Sequence, residues 1–178
     1  MKVTILSPYP QDIRPIIEEA GDTVTTNNPD QIICYGHRSI IRPPILSEYQ
    51  NRIINLHLSF LPWNKGADPN FWSWMDNTRK GITLHVVDMG IDTGPIIAQR
   101  AIEFDNGDWT LASTYNVLRT EAVDMLRETW QFWKTNQLAV QPQDGPGSYH
   151  KSADRKMYAM PLGWQTPVKD VPHLNKVQ

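Results

Sequence analysis

Two short stretches of the chain carry side chains whose types and spacing suit proton transfer at a carbonyl. The first is Asn55-Leu56-His57, entered from the apolar Ile53 and Ile54. Residues two apart on a strand point to one face, so an amide and an imidazole would stand side by side there. The second is Thr83-Leu84-His85 within GITLHVVDM, where the same alternation sets a hydroxyl beside an imidazole. Asp92 follows His85 by seven residues, in MGIDTG, with a glycine on either side of it in the loop. An amide can donate to a developing oxyanion, an imidazole can carry a proton in either direction, and a carboxylate can accept one. Each also has a plainer use. An Asn–His pair taken alone is more often a structural hydrogen bond, and an Asp beside glycines is more often a turn residue.

The elements that must hold these residues alternate. Segment 2–7 reads as a short apolar strand, and 9–20 as a helix with Ile13, Ile16, Ile17 and Ala20 on one face, stopped by Gly21. Segment 22–26 is a second strand, and 31–36, apolar throughout, a third that is buried on both faces. A short helix from Pro43 and Pro44 to Gln50 leads into strand 52–58, which carries Asn55 and His57. A further short helix, FWSWMD, precedes a hairpin of 82–88 and 95–104 that the loop of Asp92 closes. Segment 108–133 is the longest helix, with Asp108 or Thr110 to cap it and Leu111, Leu118, Ala122, Met125 and Leu126 near one stripe. Pro142, Gly145, Pro146 and Gly147 mark a linker, followed by an irregular tail. The pattern predicts an α/β fold with a mostly parallel sheet over 1–136 and a tail, 137–178, packed on it. Ligands of such sheets bind beyond the carboxyl ends of the strands, which singles out the loops 36–41 and 59–71.

Composition narrows the function classes. A net charge of −2 gives no reason to expect a nucleic-acid partner. No apolar run approaches the roughly 20 residues that span a membrane. The start, MKVTILSPYP, has too short an apolar run for an export signal, so a cytoplasmic location is expected. The single Cys34 rules out an internal disulfide, and the five histidines show no metal-ligand spacing, so no metal is expected. The first strand-to-helix turn, SPYPQD, has no glycine to wrap a phosphate, which argues against a dinucleotide cofactor.

Joined to Leu61-Pro62 and Lys65-Gly66, the stretches NLHLSFLPWNKG and GITLHVVDMGIDTGPIIAQ resemble the folate-dependent formyltransferase family over about residues 36–99. That family includes glycinamide ribonucleotide, methionyl-tRNA and sugar N-formyltransferases. The resemblance implies a compact Rossmann-like domain and transfer of a formyl group from 10-formyltetrahydrofolate to an amine. It implies Asn55, His57 and Asp92 as the catalytic group, with Thr83 and His85 supporting them. For the folate it implies the segment of Arg38, Ser39, Ile40 and Ile41, with Leu61 as an apolar wall and Val87, Asp88, Met89 and Asp92 offering backbone to the pterin edge. Lys65, Asp68, Asn70 and Trp72 or Trp74 would lie at the acceptor mouth. The glycine-free first turn, the negative charge and the small size place the chain nearest the sugar-modifying branch. The expected acceptor is a small-molecule amine, foremost a nucleotide-linked amino sugar. Hydrolysis of the formyl-folate and a non-catalytic folate-binding role are the alternatives. The aromatic tail and strand 95–104 leave a homodimer open.

Overall fold

A computed structural model describes residues 1–177. Six strands form one sheet in the order β2-β1-β3-β4-β6-β7. β1 (Lys2–Leu6), β2 (Thr23–Val24), β3 (Gln31–Tyr35) and β4 (Ile53–His57) run parallel, and β6 (Gly81–Val86) and β7 (Ile96–Ala101) add an antiparallel edge. A two-stranded patch pairs β5 (Lys65–Gly66) with β8 (Tyr149–His150).

Alternation along the central strands sorts their side chains between two layers. On one face Ile33, Tyr35, Ile54, Leu56, Ile82, Leu84 and Val86 form the main core with α1 (Pro10–Glu19) and α4 (Leu111–Lys134). On the other, Ile32, Cys34 and Ile53 pack with Leu46 of the single-turn α2 (Ile45–Glu48). Asn55 and His57 belong to this second face, between Ile53 and the open end of the strand. β3 is buried along its whole length, as its continuous apolar run predicts.

The long helix α4 begins at Leu111, the first residue of its apolar stripe and three residues after the expected start at Asp108. The carboxylate of Asp105 accepts from the Gly107 amide and the Trp109 indole, and this turn occupies the residues before the helix. Thr110 then caps it, accepting from the Ser113 amide while Ser113 Oγ accepts from the Thr110 amide. Leu118, Met125, Leu126 and Trp130 of α4 are fully covered, each stabilising the fold by about 1.5–3 kcal/mol before ordering costs. β7 is shorter than the expected 95–104, ending at Ala101. Among the described residues no helix is long and apolar enough to cross a membrane.

The tail is more ordered than its composition suggests. After β8 come α5 (Ser152–Arg155) and two 3-10 turns, Gly163–Gln165 and Val168–His173. Val171 is buried with Leu111 and with Phe71 and Trp72 of α3 (Pro69–Met75), so the tail closes a third apolar cluster.

Candidate active site

The pairing of β4 with β6 builds the centre of the site. Asn55 lies opposite His85 and His57 opposite Thr83, so all four side chains share one face. The loop leaving β6 folds back over that face. A Cβ on Gly94 would fall 1.9 Å from the Val86 carbonyl, so only glycine allows so close a return. The loop thereby lowers Asp92 onto the four residues. Asp92 itself has φ +52, left-handed backbone that costs a residue with a Cβ about 1–2 kcal/mol.

The Asp92 carboxylate is the hub. Oδ2 accepts from the Gly66 amide at 2.8 Å and lies 3.6 Å from His57 Nδ1. Oδ1 accepts from Asn55 Nδ2 at 3.3 Å and lies 3.4 Å from His85 Nε2. Burial alone would push this carboxyl up. The charge of His57, the hydrogen bond and charge of His85 and the Gly66 amide outweigh it and hold Asp92 well below the usual carboxylate range.

Backbone carbonyls settle which ring nitrogens carry protons, because a carbonyl only accepts. His57 Nε2 donates to the Asn64 carbonyl at 2.9 Å, leaving Nδ1 as the nitrogen that faces Asp92. His85 Nδ1 donates to the Val86 carbonyl at 2.9 Å, which turns its Nε2 toward Asn55 Nδ2 at 3.1 Å and Asp92 Oδ1 at 3.4 Å. Asn55 Nδ2 thus lies between His85 Nε2 and Asp92 Oδ1. The link to Asp92 is the longer one, and it is the hydrogen that Asn55 can redirect to an incoming oxygen.

Thr83 holds the chain that leaves β4. Its hydroxyl donates to the Ser59 carbonyl at 2.8 Å and accepts from the Leu61 amide at 3.2 Å, while Gln99 Nε2 donates to the Leu61 carbonyl at 2.8 Å. Cys34 is the register partner of Asn55 on β3. Burial, reinforced by the charge of Asp92, pushes its thiol up to about 12.

The expected folate segments lie on either side of the second-face apolar cluster. Ile41 and Val87 are half-buried against it, whereas Ile40 is 56% exposed and Met89 76% exposed. Arg38 and Ser39 are exposed on the loop after β3. Asp88 organises its own turn, accepting from the Gly90 amide and the Thr93 hydroxyl. Leu61 differs from expectation. It is 1% exposed and part of the interior, held there by the Thr83 and Gln99 bonds to its backbone.

Most of the expected acceptor residues are engaged by other parts of the fold. Asn70 is buried on α3, with Nδ2 donating to the Leu111 carbonyl at 2.9 Å and to Thr114 Oγ1 at 3.1 Å, so neither hydrogen is left for a hydroxyl. Trp72 is buried with its ring stacked on His150, centroids 3.8 Å apart and planes within 4°. Trp74 packs on Phe104 and under the Lys80 ammonium. Asp68 pairs with Arg155 at 3.0 Å. Of the group only Lys65, in β5 beside Gly66, adjoins the Asp92 hub. Three residues that contribute to the geometry were not singled out from the sequence: Asn64 and Gln99, though both lie in the stretches that carry the resemblance, and Gln143, which has no such signal. Among the described residues no three His, Cys, Asp or Glu are placed to hold a metal ion.

A model of the formyl transferase family matches residues 11–129. The crystal structure of the formyltransferase PseJ from Anoxybacillus kamchatkensis, in complex with UDP-4,6-dideoxy-4-formamido-L-AltNAc and tetrahydrofolate, superposes with a TM-score of 0.91 at 38% identity, over 100% of both chains. The N-formyltransferase of Helicobacter canadensis, in complex with folinic acid and dTDP-3-aminofucose, shares the fold with a TM-score of 0.71 at 17% identity, over 86% of this chain and 71% of that one. The methionyl-tRNA formyltransferase of Finegoldia magna is 34% identical over 90 residues, 50% of this chain. The chain spans only 29–51% of the length of such curated relatives. The family match over 11–129 contains Asn55, His57 and Asp92, and together with the full-length relative it establishes that the chain belongs to the formyl transferase family.

Proposed function

We propose that this protein transfers the formyl group of 10-formyltetrahydrofolate to the amino group of a nucleotide-linked amino sugar, of the UDP-linked 4-amino-4,6-dideoxy class. The observation that carries the reading is the convergence of Asn55, His57 and Asp92 on one strand face, in a chain similar along its whole length to PseJ. PseJ was crystallised with a UDP-linked 4-formamido sugar and tetrahydrofolate, which are the formylated and deformylated partners of such a transfer.

The chemistry follows from the atoms left free. A neutral amine attacks the formyl carbon, and the carbonyl oxygen becomes an oxyanion. His57 Nδ1, when protonated, and the redirected Asn55 hydrogen are the donors on that face. Asp92, held ionised, takes the proton that the attacking nitrogen gives up, and His57 supplies one to the departing folate nitrogen. One C–N bond forms, another breaks, and the two proton transfers balance. The folate fits the apolar second-face cluster. Ile41 and Val87 border that cluster, with the exposed Ile40 and Met89 at the edge of its two loops, and the walls suit a flat ring.

The reading puts the acceptor's diphosphate beyond β1 and β3, where the Arg38 guanidinium would pair with it in place of the glycine-rich loop that SPYPQD lacks. A cavity of about 500 Å³ opens where β1 and β3 end, with Ser7, Tyr9, Gly36, His37 and Arg38 on its wall. β1, β3 and β4 are parallel neighbours. The cavity therefore opens at the same carboxyl end of the sheet as His57, one to two strand spacings, ~5–10 Å, from β4. A hexose ring spans much of that distance.

The test is formyl transfer from 10-formyltetrahydrofolate to a UDP-linked 4-amino-4,6-dideoxy sugar, to the same sugar without nucleotide, and to methionyl-tRNA, read as product mass. Turnover confined to the UDP-sugar is expected. Formate release without any acceptor would show a hydrolase instead, and formylation of methionyl-tRNA alone would overturn the sugar assignment.

A further inference from the structure

A segment beyond the family match, which ends at residue 129, bonds the Asp92 backbone and the residues that hold the Asp92 carboxylate and His57. We propose that residues 141–150 form a strap that positions the reacting groups, and that Gln143 is the positioning residue for Asp92. This rests on the proposed role of Asp92 and His57 in formyl transfer.

The strap grips the Asp92 loop from its backbone side. Gln141 exchanges hydrogen bonds with Ile96, its amide at 2.8 Å and its carbonyl at 2.7 Å. This docks the segment antiparallel to the start of β7 and brings Gln143 over the loop. Gln143 Nε2 then donates to the Asp92 carbonyl at 2.8 Å and to the Gly94 carbonyl at 2.9 Å. One side-chain amide spends both hydrogens on two carbonyls that bracket the left-handed turn of Asp92. That conformation is unfavourable by itself, so an external pair of donors is what keeps it populated.

The strap grips the carboxylate side through β5. Lys65 donates its amide to the Ser148 carbonyl and Ala67 to the His150 carbonyl, each at 3.0 Å. Amides alternate in direction along a strand, so Gly66, between them, points its N–H the other way, into Asp92 Oδ2. The approach is tight. A Cβ on Gly66 would lie 2.2 Å from the His150 carbonyl, and one on Gly147 would lie 2.2 Å from the Pro62 carbonyl. His57 is reached by the same route. Ser148 Oγ accepts from the Asn64 amide at 2.9 Å, and the Asn64 carbonyl receives His57 Nε2. A tail that only covered a sheet edge would have no reason to bond the turn on both sides of one carboxylate.

The test uses Gln143→Met, which keeps side-chain length and removes both donors, with wild type and Asp92→Asn as references. Expected are a fall in kcat of about 10- to 100-fold from misplacing Asp92 and KM values for folate and acceptor changed by less than about threefold. Faster hydrogen exchange of the Gly66 amide in the ligand-free protein is also expected. A Gln143→Met protein with wild-type kcat and wild-type Gly66 protection would overturn the proposal, as would a loss carried wholly by KM. Should that variant fail to fold, Ser148→Ala, which keeps the backbone pairing of β8, is read by the same kcat–KM split. If wild type transfers no formyl group the functional reading fails, while Gly66 exchange still decides whether the strap holds Asp92.

Discussion

Replacing Asp92 by Asn separates shape from charge at the centre of the site. The amide oxygen can still accept from Gly66, so the loop keeps its main tether. What is lost is the ionised oxygen that faces His57 and His85. If Asp92 accepts the proton from the attacking amine, the rate should fall by about 10²–10⁴, the usual worth of a positioned acid or base. At 1.36 kcal/mol per decade this is about 2.7–5.4 kcal/mol of lost transition-state stabilisation. The residue's backbone and the apolar walls are unchanged, so KM for the folate should move by less than about threefold. The assay is tetrahydrofolate release with the UDP-linked amino sugar at saturation. A variant keeping more than about a tenth of the wild-type kcat would refute the role.

The same substitution has a signature in stability. The folded carboxyl is held below its ordinary range, so ionised Asp92 favours the folded state. That contribution is complete above the unfolded carboxylate pKa of about 3.9 and is lost as pH falls further toward the folded value. Wild type should therefore exceed Asp92→Asn most at neutral pH, with the gap closing as pH drops below about 4 in urea titrations. A gap independent of pH would show that shape, and not the charge, is what Asp92 contributes to folding.

Two further outcomes test the surroundings. Asn70→Ala should cost about 2–3 kcal/mol, because it strips donors from Leu111 and Thr114 in a buried place. A thermal scan should show Tm lower by about 4–12 °C, with KM for both substrates unchanged; a raised acceptor KM would return Asn70 to the binding site. Cys34, its thiol pushed up to about 12, should be inert to iodoacetamide at pH 8 in the native protein and react readily once unfolded in urea. At that pH only about one thiol in 10⁴ is ionised, so native-state labelling at the unfolded rate would contradict its burial.

How legible the site is in the sequence depends on how local its causes are. Asn55, His57, Thr83 and His85 share a face because strand alternation forces it, and two-residue spacing is visible in the letters. The hairpin of β6 and β7, and the glycine-flanked loop of Asp92 between them, follow from turn chemistry on adjacent residues. The start of α4 is a competition between two nearby caps. Asp108 lost it because Asp105 had already organised the preceding turn, leaving Thr110 with Ser113 to close the capping box. The partners of the expected acceptor residues are of a different kind. Nothing near Trp72 says that His150 stacks on it, and nothing near Asn70 says that the start of α4 sits on its amide. Those contacts join segments more than forty residues apart and have no period to read.

That division bears on what the tail is for. A linker rich in proline and glycine reads as a spacer, yet here Gly147 is the only residue type that fits against the Pro62 carbonyl. The glycines and prolines of 142–147 let the backbone turn closely enough to bring Gln141 and Gln143 to one side of Asp92 and Ser148 and His150 to the strand on its other side. Composition that would signal flexibility in isolation serves close approach once partners exist. The reacting side chains are carried by the sheet, but their orientation is completed by hydrogen bonds from a segment that lies outside the family match. The strap also lies beside β5 and α3, where His150 stacks on Trp72, so the segment that aims Asp92 is itself held against the domain.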